Sequence, residues 1–242
     1  MSGHTPMPET VSATPKAVVV PPGNAAAPVS KNRDGRIVNR FDPHNRYRTI
    51  CAMFHLSRRM SVDDNLPYCL KHGGRDKLGE LFKTFGYTEG AEIGTKKGVY
   101  ALTLCKAVPN LHLHCVDPWD GKLPYGGHQF THDRYERQAR KVLSPYHVTI
   151  HKTTSLDALP LFKDESLDFV YIDANHEFDH ACADLIFWSQ KVRSGGIVAG
   201  HDYFQHRRGG VVRAVDAYTH SHKIDPWYVT EEVFPSFFWV KP

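Results

Sequence analysis

The chain has 242 residues, 41% of them apolar, enough for one α/β domain of ordinary size with a filled core and a tail. Its 30 basic and 26 acidic residues are interspersed and leave a net charge of +4, too small by itself to point to nucleic acid. No run approaches the roughly 18 uncharged apolar residues of a membrane span, and the first residues lack the basic-then-apolar order of a signal peptide.

Five cysteines, Cys51, Cys69, Cys105, Cys115 and Cys182, show neither CxxC nor zinc-finger spacing. Reduced thiols in a soluble, cytoplasmic protein are the expectation. The 16 histidines are scattered, which predicts pH-dependent charge and speaks against a tag or a metal-storage tract.

Residues 1–40 are rich in Pro, Ala, Ser, Thr and Gly, and Pro6, Pro8, Pro15, Pro21, Pro22 and Pro28 break any regular element. They read as a disordered or extended arm, Pro21 ending a short strand that 18–20 would otherwise form. Residues 41–86 read as a helical cap. An amphipathic helix over 47–60 places Ile50, Met53, Phe54 and Ser57 on one face, 65–74 is broken by Pro67 and Gly73, and a second helix runs over 75–85.

From residue 87 onward strands and helices alternate. The pattern predicts strands at 91–93, 111–116, 148–151, 167–172 and 197–200 and helices at 99–107, 131–143, 178–192 and 209–220, with Gly195 and Gly196 ending the third of these helices. A short helix starts at Ser155 and ends by Pro160, and a hairpin over 227–229 and 237–240 completes the sheet. The fold class that follows is α/β: a Rossmann-like, doubly wound, seven-stranded, mostly parallel sheet with an antiparallel C-terminal strand, preceded by short helices. Residues 87–242 form the catalytic domain in this reading.

Such a sheet leaves the carboxyl ends of its strands open to a ligand. The first strand ends in Glu92-Ile93-Gly94-Thr95-Lys96-Lys97-Gly98 and the second in Asp117-Pro118-Trp119. A dinucleotide fingerprint wants a third glycine and a pyrophosphate at the helix N-terminus, and Glu92 places a carboxylate where that anion would lie. S-adenosylmethionine suits the turn better. Glu92 would answer its ammonium group, Gly94 would give backbone access, and Asp117 would accept both ribose hydroxyls, with Thr95 and Gly98 completing the turn. Glu92 also suits a structural salt bridge. Trp119 either packs on the adenosine or closes its loop; Ser155 and Leu156 lie where an adenine edge would be lined, although Ser155 also suits helix capping.

Two further segments, Tyr171-Ile172-Asp173-Ala174-Asn175-His176 and Gly200-His201-Asp202-Tyr203, each follow an apolar strand and reach the same crevice. Asp173, Asp202 and His201 have the donor types to hold a divalent cation, Mg²⁺ or Mn²⁺, and His176 is placed to act as general base. The bland account of the same residues is turn capping and backbone hydrogen bonding. Arg207 and Arg208 would meet an anionic substrate group or form a solvated basic turn, and Tyr203, Phe204 and Trp227 offer an aromatic wall.

In the order AEIGTKKG, HCVDPW, SLDFVYIDANHEFDHACADLIFW, KVRSGGIVAGHDY and GVVRAVDAY, residues 87–218 resemble class I S-adenosylmethionine-dependent methyltransferases. Within them they resemble the small-molecule O-methyltransferase-like methyltransferase domain family. The resemblance implies that Glu92, Gly94 and Gly98 line the methionine and ribose side and that Asp117 binds ribose. It implies that Asp173 serves as a metal-site acid in metal-dependent members, with His176 in the place of the base of macrolide-sugar O-methyltransferases. One departure stands out. Metal-dependent relatives commonly carry two adjacent oxygen ligands after the fifth strand, either two acids or an acid followed by asparagine, where this chain has His201-Asp202, and imidazole is a poorer partner for Mg²⁺ than carboxylate.

The expected partner is a small-molecule acceptor, with nucleic acid disfavoured, no membrane, and the arm and leading helices as candidate homo-oligomer surfaces. Three rivals stay open: a dinucleotide oxidoreductase, a nucleic-acid methyltransferase, which would want an Asn-Pro-Pro-Tyr-like loop in place of Asp173-Ala174-Asn175-His176, and a non-catalytic protein on the same fold.

Overall fold

The computed structural model describes residues 29–31, 37–39, 43–56, 66–123, 127–205 and 209–242. The chain divides between Arg40 and Phe41 into two compact units. In the first, β1 (Val29–Lys31) pairs antiparallel with β2 (Ile37–Asn39). This ladder was not expected in a Pro-rich arm; it falls in its C-terminal part, where β-branched Val29, Ile37 and Val38 favour extended backbone. The strand considered at 18–20 lies outside the described residues.

The second unit begins with α1 (Pro43–Met53), β3 (Tyr68–Leu70) and α2 (Asp76–Thr84). The alternation follows: β4 (Glu89–Ile93), α3 (Val99–Ala107), β5 (His112–Val116), α4 (Gln129–Leu143), β6 (Val148–His151) and the single-turn α5 (Ser155–Ala158). It ends with β7 (Leu167–Ile172), α6 (Phe178–Lys191), β8 (Val192–Gly200), α7 (Gly210–Ser221), β9 (Trp227–Thr230) and β10 (Phe237–Val240). The sheet order is β3-β9-β10-β8-β7-β4-β5-β6, parallel except where β10 runs against β8 and β9.

Among the described residues the main sheet has eight strands, one more than the sequence pattern predicts. The addition is β3, which pairs parallel with β9 at the sheet's edge. Three residues between Pro67 and Gly73 are too few to show a period of two, so the strand is specified by its partner. The second difference concerns Gly195 and Gly196. Helix α6 already ends at Lys191, because Val192 pairs with Leu167 and the Arg193 guanidinium lies 2.7 Å from the Asp168 carboxylate on β7. The chain is therefore extended before the glycines, and β8 runs through them, Gly195 taking a positive φ of 72°.

Alternation along β7 feeds two cores. Phe169 and Tyr171 point into the layer built with Leu78, Leu81 and Phe82 of α2 and Leu104 of α3, where the Phe82 and Phe169 rings stack at 4.2 Å. Val170 and Ile172 point into the layer built with Leu185 and Trp188 of α6 and Val215 of α7. The i, i+3, i+4 spacing of Leu78, Leu81 and Phe82 makes α2 an amphipathic cover for the sheet. In α6, by contrast, Ile186 is exposed although its apolar side chain suggests an inward place. No helix among the described residues is long and apolar enough to cross a membrane.

This order makes β4 and β7 neighbours at the point where the chain reverses its direction of growth. β4 leads by α3 to β5 on one side, while β7 leads by α6 to β8 on the other. The carboxyl ends of these strands diverge there and open a crevice.

Candidate active site

Backbone hydrogen bonds set the floor of the crevice as a staircase. Gly94 N donates to Val116 O (2.8 Å), Asp173 N to Ile93 O (2.8 Å), and His201 N to Ile172 O (2.9 Å). Each loop therefore leaves its strand one residue after its neighbour's last pair. Gly94 takes φ +96°, and a Cβ there would collide with the Asp173 carbonyl oxygen. Only glycine lets these two loops touch. Gly210 does the same at the start of α7, where a Cβ would collide with the His176 carbonyl.

On the β4 side Glu92 is 3% exposed, and its Oε2 atom is buried with no hydrogen-bond partner; Thr95 Oγ1 is in the same condition. Burial pushes the Glu92 carboxyl up to about 8; the Thr95 hydroxyl, close enough to oppose the shift without closing a hydrogen bond, and Asp173 and Asp117, which add to it, act after burial. A buried acid beside an unsatisfied hydroxyl fits a ligand that brings a donor or a positive charge. Gly98, at φ +72°, begins α3.

Asp117 is half-buried. Its two carboxylate oxygens accept from the backbone N–H of Lys96 and of Trp119, each at 2.8 Å. Burial raises its pKa, and these two amide bonds oppose the rise. Each oxygen keeps a second lone pair for a hydroxyl. Trp119 is fully buried, and its indole N–H donates to Lys96 O at 2.7 Å, so the structure gives it the loop-closing place. Ser155 also turns inward. It donates to the Asp184 carboxylate and accepts from the Trp188 indole at 2.8 Å. The cap of α5 is instead Thr154, whose hydroxyl accepts from Asp157 N at 3.3 Å; the Thr-x-x-Asp spacing was the signal for it. Leu156 is exposed.

On the other side the β7 and β8 loops converge. His176 Nε2 lies 3.1 Å from Asp202 Oδ2 and 3.6 Å from Asp173 Oδ1, and His201 Nδ1 lies 3.4 Å from Asp202 Oδ1 and 3.5 Å from Asp173 Oδ2. Four residues nearly thirty positions apart in sequence thus interlock. Asp202 holds φ +59°, a left-handed conformation that a non-glycine residue adopts only when its surroundings fix it. A small pocket beside them is bounded by Asp173, Asn175, His176, His201, Val211 and Phe237.

Two contributors escape sequence reasoning. Arg75, just before α2, places its guanidinium 3.8 Å from Asp173 Oδ2 and 5.0 Å from the centre of the Tyr100 ring. Its backbone N–H donates to Glu232, whose carboxylate also accepts from Thr230 and thereby ties the β9–β10 turn to the crevice. No periodicity marks an arginine at a helix start as a site residue. Phe234, in that turn, lies 5.2 Å from Phe204 and 6.4 Å from His201, ring centre to ring centre. Of the aromatic wall the sequence suggested, Tyr203, Phe204 and Trp227, only Phe204 meets Phe234. The other two pack on each other at 5.5 Å, Trp227 buried and Tyr203 donating to Asp216 at 2.7 Å. Arg207 and Arg208 lie outside the described residues.

Residues 91–203 match the family model described as a methyltransferase domain. The match spans just under half of the chain. It contains Glu92, Gly94, Thr95, Gly98, Asp117, Asp173, His176, His201 and Asp202, and leaves out Arg75, Phe204, Gly210, Val211 and the β9–β10 contributions. No match is found among curated proteins. Among solved structures, the O-methyltransferase TomG from Streptomyces achromogenes, in complex with SAM, is 17% identical with a TM-score of 0.52, covering 69% of this chain and 80% of that one. An O-methyltransferase from Bacillus cereus, in complex with SAH, is 15% identical with a TM-score of 0.54, covering 83% of this chain and 92% of that one. The chain therefore shares with these structures an α/β fold with a mostly parallel sheet, as its sequence pattern led one to expect.

Proposed function

We propose that this methyltransferase domain transfers the methyl group of S-adenosylmethionine to a hydroxyl of a small molecule or sugar, with a divalent cation assisting. The observation that carries the reading is the interlocked set Asp173, His176, His201 and Asp202, held by the Gly94 contact directly against the Glu92 turn. The two structures named above were determined with SAM and SAH, which supports the choice of cofactor.

The residues present fit that cofactor. Glu92 Oε2 and Thr95 Oγ1 are buried polar atoms awaiting a partner, and Asp117 has lone pairs for two hydroxyls. Glu92 also disfavours a dinucleotide, since an anion beside a buried carboxyl would be repelled once that carboxyl ionises. S-adenosylmethionine supplies a methyl group already activated on a sulfonium. The protein's part is to place the acceptor oxygen in line and take its proton. His176 takes that proton on its other ring nitrogen, while Nε2–H donates to the Asp202 carboxylate 3.1 Å away, which stabilises the imidazolium formed. Arg75 keeps Asp173 oriented from the opposite side.

Asp173, His201 and Asp202 each present one donor atom, all within 4.8 Å of one another, which fits a small cation. Two oxygens and one imidazole nitrogen suit Mn²⁺ better than Mg²⁺. When bound, the cation supplies positive charge that lowers the pKa of the acceptor hydroxyl.

Transfer of a radiolabelled methyl group to a panel of hydroxyl, amine and thiol acceptors, with and without EDTA, tests the reading. Label in hydroxyl acceptors, reduced by EDTA and restored by Mn²⁺, supports it. Label confined to amines or thiols contradicts it.

A further inference from the structure

Away from the crevice, parity along three adjacent strands puts an unusual set of polar residues on one face. Glu89 is in register with His112, and His114 with Thr149, while His151 lies two residues further along β6 and His147 just before it. The intervening Leu113 and Cys115 enter the opposite core.

Glu89 Oε1 lies 2.7 Å from His114 Nε2 and 3.0 Å from His112 Nδ1. The other nitrogen of each ring is also engaged: His112 Nε2 lies 2.8 Å from Thr149 Oγ1, and His114 Nδ1 lies 2.9 Å from His151 Nε2. The His147 ring stacks on His112 at 4.0 Å, and Phe162 meets His114 edge-on at 4.9 Å. Two imidazoles and a carboxylate thus aim one atom each at a common point, and all three atoms lie within 4.8 Å of one another.

We propose that Glu89, His112 and His114 form a zinc site, independent of the methyl-transfer crevice, with water as the fourth ligand. A tetrahedral Zn²⁺ with bonds of about 2.0–2.1 Å wants its donors about 3.3 Å apart, so a small opening of the observed spacing admits the ion. The outer hydrogen bonds to Thr149 and His151 fix the ring orientations, as the supporting partners of zinc-bound histidines do. The side chains of Glu89, His112 and His114 are 37%, 23% and 16% exposed, leaving one side open for entry and for the water. Glu89 begins β4 and Glu92-Gly94 closes it, so the two sites sit at opposite ends of one strand, on the order of 13 Å apart. The ion would pin β4 to β5 beside the sheet's edge strand β6. Without an ion the same groups can satisfy one another by hydrogen bonds alone, which is the outcome the test must separate.

The test titrates the chelator-stripped full chain with Zn²⁺ and, for its visible spectrum, Co²⁺. It is repeated in the Asp173→Asn/Asp202→Asn variant, which removes the carboxylates of the crevice. The proposal predicts one equivalent bound with a tetrahedral Co²⁺ spectrum in the Asp173→Asn/Asp202→Asn variant, and the same spectrum beside a second, separable equivalent in the unsubstituted chain, whose crevice carboxylates are intact. Affinity should fall at least roughly tenfold in Glu89→Gln and in His112→Asn, and should stay within about threefold in His147→Ala, whose ring stacks without ligating. Nitrogen NMR of the intact chain guards against misfolded variants: Zn²⁺ should shift His112 Nδ1 and His114 Nε2. Absence of stoichiometric binding in the Asp173→Asn/Asp202→Asn variant, or ring nitrogens unmoved by Zn²⁺, overturns the proposal and leaves a hydrogen-bonded histidine face.

Discussion

Replacing Glu92 with Gln separates the cost of a buried acid from its use. The carboxyl titrates near 4.5 in the unfolded chain and at about 8 in the folded one, chiefly because burial penalises its charge. Below the lower value both states are protonated. Between the two the folded state binds the extra proton, so stability falls as pH rises, and above about 8 the loss is complete. At roughly 1.4 kcal/mol per pH unit the full loss approaches 5 kcal/mol, with 2 kcal/mol as a conservative expectation. Urea unfolding of the ligand-free protein at several pH values should show wild type losing about 2–5 kcal/mol relative to Glu92→Gln between pH 5 and 8. Ligand binding gives the complementary sign. A cofactor ammonium near Glu92 should drive it to ionise, so binding at pH 7 should release close to one proton, seen as a buffer-dependent calorimetric heat. Stability curves that run parallel for the two proteins would refute the account of Glu92 as a buried, unpartnered acid.

Other outcomes follow from the same geometry. Gly94→Ala meets both a positive φ and the Asp173 carbonyl, whereas Gly86→Ala meets only a positive φ, with nothing within 4 Å of its new methyl. Thermal unfolding should show a loss of about 3 kcal/mol for the first and about 1 kcal/mol for the second; equal losses would mean the loops do not depend on close contact. His176→Gln should lower kcat roughly 10²- to 10⁴-fold while leaving S-adenosylmethionine affinity within about threefold, in stopped-time methyl-transfer assays beside binding titrations. A fall in affinity without a fall in kcat would assign His176 to cofactor binding.

Much of this arrangement is legible in the chain because it is written in short-range pattern. The helix over Val99–Ala107 and the strands over Val148–His151 and Leu167–Ile172 lie where periodicity puts them, each bounded by glycine, proline or charge. The crevice residues are legible for a related reason: a doubly wound sheet delivers every strand's carboxyl end to one edge, so Asp173 and Asp202 meet by topology alone. What escapes is decided by partners distant in sequence. The strand at Tyr68–Leu70 exists through pairing with Trp227–Thr230, and β8 starts early because Arg193 finds Asp168. Arg75 reaches the crevice from outside the matched domain because Glu232, far along the chain, holds its backbone. Ser155 reads as a lining or capping residue until Asp184 and Trp188 are seen to draw it inward. In each case the local sequence permits several places and a tertiary contact selects one.

The most direct test of the central claim is calorimetric titration of the full chain with S-adenosylmethionine and S-adenosylhomocysteine, beside Glu92→Ala and Asp117→Ala. The account predicts micromolar binding by the intact protein and a loss of at least tenfold in each variant, about 1.4 kcal/mol or more. No binding by the intact protein, or equal binding by all three, would contradict the placement of the methyl donor on the β4 and β5 edge.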